Sequence, residues 1–310
     1  MPPTFRTLRE TNLESFCANT ADSTGLHSRL TGYIASGITR PEWCFIATDS
    51  GGEIVSRHYW WSRPGSDEPF GIDFVSIEDH SATVALVHDA REQLHVDMAF
   101  CQIFCLTEQG HNPSHIQADL ASVLRDSGFV FEVARVTVQW TIATPIATDR
   151  NRLNFRPACD LDDTLINALF QSVTDGSLSH GMLSERARVG VVQEALERLQ
   201  MVRSYRAERD WFAVGFNSEN APVGYVVPAY VGDTPIICEI GVAQPHRGNG
   251  YVDDLLFWAT RRLAESGARV IQADTDRANT PMRAAFAKGG YREFRWRDDY
   301  EWRQPFLSDR

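Results

Sequence analysis

A worn internal repeat narrows the folds open to this chain more than anything else in its sequence. Phe5 and Arg6 open one extended segment, and Phe155 and Arg156 open another. Trp43 follows Glu42 and leads a strand to Asp49 and Ser50. Trp211 follows Asp210 and leads one to Asn217 and Ser218, at the same offsets. Gly128–Phe129 and Gly290–Tyr291 both read as a helix stop followed by an aromatic residue, and Trp140 and Trp302 each lie twelve residues beyond their glycine. Four pairs of landmarks in one order point to two copies of one module. The 310 residues suit two domains of ordinary size. The boundary is expected between Thr144 and Arg152, where Pro145 and the polar run Thr148 to Arg152 read as a linker. That gives domains 1–146 and 151–310.

The second copy reads as an α+β module. A strand near Asn154 precedes a helix from Asp160, its N-cap, to Val173, with Leu161, Leu165, Leu169 and Val173 on one face. A Gly/Ser-rich loop spans Asp175 to Ser184, and a helix spans Glu185 to Val202 with Val189, Val192, Leu196 and Leu199 on one face. Strands follow at Trp211–Phe216, Val223–Ala229 and Ile236–Val242. A helix from Gly250 to Glu265, a strand Ala268–Ala273, a helix Thr280–Lys288 and a last strand to Trp302 complete it. The order predicts one mainly antiparallel, twisted sheet flanked by helices, built twice.

Composition excludes several classes. With 43% hydrophobic and 23% charged residues, the chain is expected to be globular. Thirty basic against 41 acidic residues leave a net charge of −11, so a phosphate backbone is repelled on average and no nucleic-acid partner is expected. No apolar run approaches the roughly 18 residues of a membrane span, so no membrane partner is expected. Met1–Glu10 lacks the apolar core of a signal peptide. Lys288 is the one lysine among the 30 basic residues, which suggests a GC-rich bacterial genome. The six cysteines form no CxxC pair, and Cys44 and Cys101 sit among apolar neighbours as buried thiols would in a reducing cytoplasm. No HExxH set or GxSxG elbow is present, so neither metal chemistry nor a serine nucleophile is expected.

One turn carries chemistry. After the strand Ile236–Val242 come Ala243, Gln244, Pro245, His246, Arg247, Gly248, Asn249 and Gly250, and a helix then begins. Unpaired N–H groups and the positive end of the helix dipole face such a turn. Gly248 and Gly250 remove side chains that would block a large anion, Arg247 adds charge, and a pyrophosphate fits there.

This turn and the order of elements resemble the GNAT superfamily of acyl-CoA N-acetyltransferases. The family's signature, Arg/Gln-x-x-Gly-x-Gly/Ala, falls on Arg247, Gly250 and Val252, with valine departing from the small third residue. Asn279, Pro281 and Met282 also match, as do Gly290 and Tyr291 in place of the family's Gly-Phe. The resemblance implies a tandem arrangement with acetyl-CoA, or another acyl-CoA, in the C-terminal copy. It would be held by Ile240, Gly241 and Val242 on the strand, Arg247, Gly248, Asn249, Gly250, Tyr251 and Val252 at the turn, and Asn279 and Met282 beyond. It further implies transfer to a primary amine of a small molecule, such as a natural product or antibiotic, by a monomer or homodimer. An aminoacyl-tRNA-dependent transferase and a non-catalytic scaffold are the rival readings. The first copy has Glu78, Asp79, His80 and Ser81 where the turn would be, and two carboxylates would repel a pyrophosphate.

Alternation along the fourth strand of the second copy places Ile237, Glu239 and Gly241 on one face. The resemblance makes Glu239 the general base; an ion-paired strand carboxylate is the other reading. The family's usual acid, a tyrosine, is replaced by Phe286. Asn279 serves either the cofactor or the helix it precedes. His180 is either an acceptor-site residue or an exposed loop histidine.

Overall fold

The two halves of the chain run through the same order of elements, except that the second has three helices rather than two between its first two strands. The first half has β1 (Thr4–Thr7), α1 (Leu13–Cys17), α2 (Ser23–Ala35), β2 (Cys44–Thr48), β3 (Ile54–Ser62), β4 (Pro69–Ile77), α3 (His80–Leu94), β5 (Met98–Leu106), α4 (His115–Asp126) and β6 (Val130–Thr141). The second has β7 (Asn154–Pro157), α5 (Asp163–Thr174), α6 (His180–Val189), α7 (Val191–Ser204), β8 (Ala213–Phe216), β9 (Pro222–Val231), β10 (Thr234–Val242), α8 (Tyr251–Glu265), β11 (Val270–Asp276), α9 (Thr280–Lys288) and β12 (Arg292–Arg303). This computed structural model describes residues 2–9, 11–20, 22–63, 66–106, 115–146 and 151–304. Of the expected linker, residues 148–150 lie outside the described residues.

The chain divides into two compact units that are discontinuous in sequence, unlike a single cut between 146 and 151. One comprises Met1–Cys105, Gly110–Val133 and Arg297–Arg310; the other comprises Leu106–Gln109 and Ala134–Trp296. The last strand of each half therefore contributes one end to each unit. The repeat's glycines record this exchange. A Cβ on Gly128 would lie 3.5 Å from the Trp302 ring, and one on Gly290 would lie 3.7 Å from the Trp140 ring. Each helix-stop glycine packs against the other copy's tryptophan.

In the first unit the strand order is β1-β2-β3-β4-β5, antiparallel except for the parallel pair β4–β5. One side of this sheet packs Trp43, Phe45 and Trp60 against Leu86 and Ala90 of α3, and the other packs Ile46 and Tyr59 against Phe16 and Leu30. Both faces are covered, so β3 is buried almost continuously rather than alternately. In the second unit the order is β6-β11-β10-β9-β8-β7, with β10–β11 the parallel pair. Leu255, Leu256, Ala259 and Leu263 of α8 cover one face. Phe170 and Val173 of α5 with Ala195 and Leu199 of α7 cover the other. Truncating a fully buried aromatic such as Phe170 to alanine costs about 3–5 kcal/mol.

Four expected details change. The α5 helix starts later than Asp160: Asp162 is the N-cap, its carboxylate accepting from Thr164 N at 2.7 Å, and Asp160 lies in a short 3-10 turn. The loop closes at Ser179, and a helix already runs from His180. The helix expected over 185–202 is broken at Gly190, whose φ of +88° ends α6 and starts α7. That break resets the helical phase. The buried face of α7 is Glu194, Ala195, Arg198, Leu199 and Val202, while Val192 and Leu196 are 62% and 39% exposed. Of the expected apolar face, Val192 and Leu196 point outward and Leu199 inward.

Candidate functional site

The second unit holds a cavity of about 960 Å³, within the range of ligand sites and near its upper end. The parallel pair β10–β11 explains its position. These strands are registered at Ile236 and Gln272. Beyond that pair, Ile237–Val242 on one side and Asp274–Asp276 on the other both line the cavity. The β10 ladder with β9 also slips between Ile237 and Glu239. Ile237 lies opposite Pro228, which has no N–H to give, and the ladder resumes at Glu239–Val227.

This bulge corrects the alternation reading. Ile237, Ile240 and Val242 pack on the α8 face, whereas Cys238 packs on the α5–α7 face. Glu239 also points to the α5–α7 face, where it meets Tyr225 and Arg198. So does Gly241, where a Cβ would overlap Val173. Ile237 and Glu239 therefore face opposite sides.

The glycine turn closes one end of the cavity. Gly248 and Gly250 have φ of +81° and +71°, a region that favours glycine. Gly250 is the N-cap of α8 and supplies no side-chain cap, so the first N–H groups of that helix are left for a ligand. Arg247, Gly248, Gly250, Tyr251 and Val252 all line the cavity. The Arg247 guanidinium does not supply a loose charge. Its Nε donates to Val242 O at 3.2 Å, Nη1 to Gly176 O at 2.8 Å and Nη2 to Val173 O at 2.6 Å. It thereby straps the turn to the carbonyl end of α5, and burial pulls its pKa below the usual arginine value despite Asp175 nearby.

Arg152 supports the turn from the other side, a role sequence reasoning missed by treating it as linker. It donates to Asn249 O at 2.7 Å and Gly250 O at 2.8 Å, and pairs with the buried carboxylate of Asp254. Its guanidinium sits 5.1 Å over the Tyr251 ring. Two acids in the first turn of α8, Asp253 and Asp254, are the signal that could have pointed to a cationic partner.

The third wall is a polar cluster beneath Glu239. Tyr225 Oη donates to Glu239 Oε2 at 2.8 Å, and Arg198 Nε lies 3.9 Å from the same oxygen. Arg198 also pairs with Glu194, donates to Thr174 Oγ1 at 2.7 Å and reaches Tyr225 Oη at 3.3 Å. The Glu239 side chain is 12% exposed, at the cavity wall. Burial pushes its pKa up from the ordinary glutamate value, and Arg198 and the Tyr225 hydroxyl offset part of that rise. Such a carboxylate is a better proton acceptor than a solvated one.

The remaining expected residues divide. Asn279 caps α9, its Oδ1 accepting from Met282 N at 3.3 Å, and it also lines the cavity. Met282 and Phe286 line the cavity too, and Phe286 is buried and carries no proton. Tyr291 Oη is 2.7 Å from Thr260 Oγ1 in the core, and burial raises its pKa, so it is no acid for the site. His180 is the first residue of α6, its N–H donating to Asp276 Oδ2 at 2.6 Å; its neighbours Ser179 and Gly181 line the cavity. Among the described residues no group of His, Cys, Asp and Glu could hold a metal ion, and no helix is long and apolar enough to cross a membrane.

Residues 183–291 match the family model described as Acetyltransferase (GNAT) family. No curated protein matches the sequence. Among solved structures, the chain resembles a GCN5-related N-acetyltransferase from Sphaerobacter thermophilus at 13% identity and a TM-score of 0.59, covering 98% of this chain and 96% of that one. It resembles a tandem GNAT protein from the clavulanic acid biosynthesis pathway at 12% identity and a TM-score of 0.50, covering 99% and 100%. It also resembles a GCN5-related glucosamine N-acetyltransferase region of a fungal multi-domain β-N-acetylglucosaminidase at 11% identity and a TM-score of 0.55, covering 97% of this chain and 38% of that one. At these identities the likeness is one of fold.

Proposed function

From a second unit that carries a GNAT acetyltransferase domain, we propose that this protein is an acyl-CoA-dependent N-acyltransferase acting on the primary amine of a small molecule. The observation that carries the reading is a single cavity bounded by an uncapped helix N-terminus at one end and the partly buried carboxylate of Glu239 at its wall. The residues fit an acyl-CoA. The turn 247–252 offers backbone N–H groups and the helix dipole to the pyrophosphate. Ile240–Val242 offer a strand edge to the rest of the molecule, with Asn279 and Met282 across the cavity. When bound, acetyl-CoA or another acyl-CoA supplies an acyl group activated as a thioester. The chain's own work is to deprotonate the acceptor. A free amine is mostly protonated at pH 7, and Glu239, directly or through water, takes that proton.

The first unit is assigned no acyl-CoA. The N-terminus of α3, which corresponds to that of α8, is capped by Asp79, whose Oδ1 accepts from Ala82 N at 2.8 Å. A carboxylate already occupies the place a phosphate would take. The six cysteines are free thiols, which suits the proposed cytoplasmic location.

The test is thiol release from acetyl-CoA with a panel of amines, run on the wild type and Glu239→Gln. Losing a general base typically reduces turnover by about 10²–10⁴-fold near neutral pH. Calorimetry should show acetyl-CoA affinity nearly unchanged in the variant. A wild type that neither binds acetyl-CoA nor releases thiol with any amine refutes the reading.

A further inference from the structure

The buried face of α7 contains a puzzle. Glu194 and Arg198 point inward while Val192 and Leu196 face solvent. Burying an ion pair costs several kcal/mol per ion, and apolar residues could fill the same space more favourably. Stability is therefore a poor explanation for the phase of this helix. What the phase achieves is to bring one guanidinium between two carboxylates, Glu194 in contact and Glu239 at 3.9 Å. Thr174 Oγ1 fixes the first pair, accepting from Arg198 at 2.7 Å and lying 3.3 Å from Glu194 Oε2. Tyr225 Oη links the second, accepting from Arg198 Nη1 at 3.3 Å and donating to Glu239 at 2.8 Å.

We propose that Glu194, Arg198 and Tyr225 are positioning residues that aim Glu239 and set its readiness to take a proton, by sharing one positive charge between two carboxylates. This rests on Glu239 being the base. Glu194, in contact with Arg198, takes most of that charge. Glu239 receives the remainder at longer range and through the tyrosine hydroxyl. One guanidinium cannot neutralise two carboxylates, so the cluster holds one proton more readily than an isolated pair would. Glu239, which lines the cavity, is where that proton can be exchanged with a substrate.

The other groups around Glu239 leave this division in place. On its own strand is Cys238, hydrogen-bonded to Tyr205 at the end of α7, and burial raises the pKa of both. Across the cavity on β11 are Asp274 and Asp276, with Asp276 3.7 Å from Arg135. On α6 and α7, Glu185 and Glu197 line the cavity and both pair with Arg188. Arg198 is the cation paired with Glu239.

The two ends of the set should act with opposite sign. Glu194→Gln leaves the full charge of Arg198 facing Glu239, so the Glu239 midpoint should fall by about one pH unit. Tyr225→Phe removes a hydrogen bond to the ionised carboxylate, so the midpoint should rise by about one unit. The measurement is a carboxyl titration by NMR on the full chain with ¹³C-labelled glutamate, the resonance being identified by its loss in Glu239→Gln. If Glu194→Gln does not fold, Arg198→Lys replaces it. That variant keeps the charge but loses the fork to Tyr225, and its midpoint must rise with that of Tyr225→Phe. Shifts of the same sign in Glu194→Gln and Tyr225→Phe, or no shift in either, overturn the proposal. Opposite shifts together with wild-type thiol release by Glu239→Gln would instead remove Glu239 as base.

Discussion

Arg152→Ala tests whether the glycine turn is held from outside. The substitution removes two charge-assisted hydrogen bonds, at 2.7 Å to Asn249 O and 2.8 Å to Gly250 O, and leaves Asp254 without its cation. Breaking a buried ion pair by removing one partner costs about 3–5 kcal/mol, whereas an exposed pair contributes about 0–1 kcal/mol. Asp254 is 2% exposed and Arg152 is 32% exposed, so the expected loss lies between these limits, at about 2–3 kcal/mol. For a unit of this size that lowers the melting temperature by about 4–12 °C. Most of the loss should come from the stranded carboxylate, so Asp254→Asn in the Arg152→Ala background should recover part of it. Urea unfolding followed by tryptophan fluorescence reads stability, and calorimetry with acetyl-CoA reads the turn, whose released carbonyls should weaken binding. A single variant within about 0.5 kcal/mol of wild type, or a double variant no more stable than Arg152→Ala, would refute the argument.

Three further outcomes are expected. Gly250→Asp puts a carboxylate where the pyrophosphate is proposed to lie; since aspartate tolerates a left-handed φ, the fold should persist while acetyl-CoA affinity by calorimetry falls at least about tenfold, or about 1.4 kcal/mol. Calorimetric stoichiometry should be one acetyl-CoA per chain, because Asp79 blocks the N-terminus of α3; a value of two would contradict this. In the first unit His58 is wholly buried among Phe45, Trp60 and Phe74, neither ring nitrogen has a hydrogen-bond partner among the described residues, and burial lowers its pKa to about 3. The unfolded chain therefore binds a proton that the folded chain refuses between pH 6.5 and about 3, and stability falls as pH drops through that window. His58→Phe should flatten the drop in urea midpoint between pH 7 and 4.5, and an unchanged slope would exclude His58 as its source.

The glycine turn was legible because its meaning is local. A strand, two closely spaced glycines and a helix start dictate free N–H groups wherever they occur, and Gly248 and Gly250 adopt the backbone that makes them so. The repeat was legible for the same reason, since Gly128 and Gly290 both end helices. Their spacing to Trp140 and Trp302 is identical in the two copies, however, so it could not reveal that each glycine packs against the other copy's tryptophan. Glu239 could be placed on its strand but not on its face. The bulge opposite Pro228 moves Ile237 to the other side, and it depends on which strand lies alongside. The partners of Glu239 were beyond sequence reading altogether. Tyr225 and Arg198, with the Thr174 and Glu194 that hold Arg198, come from three elements, and two residues of the expected apolar face of α7, Val192 and Leu196, point outward instead. Periodicity reports where a helix would bury apolar area if that were the only term. The phase reset at Gly190 and the ion pair turned inward come from tertiary contacts, which no window of neighbouring residues contains.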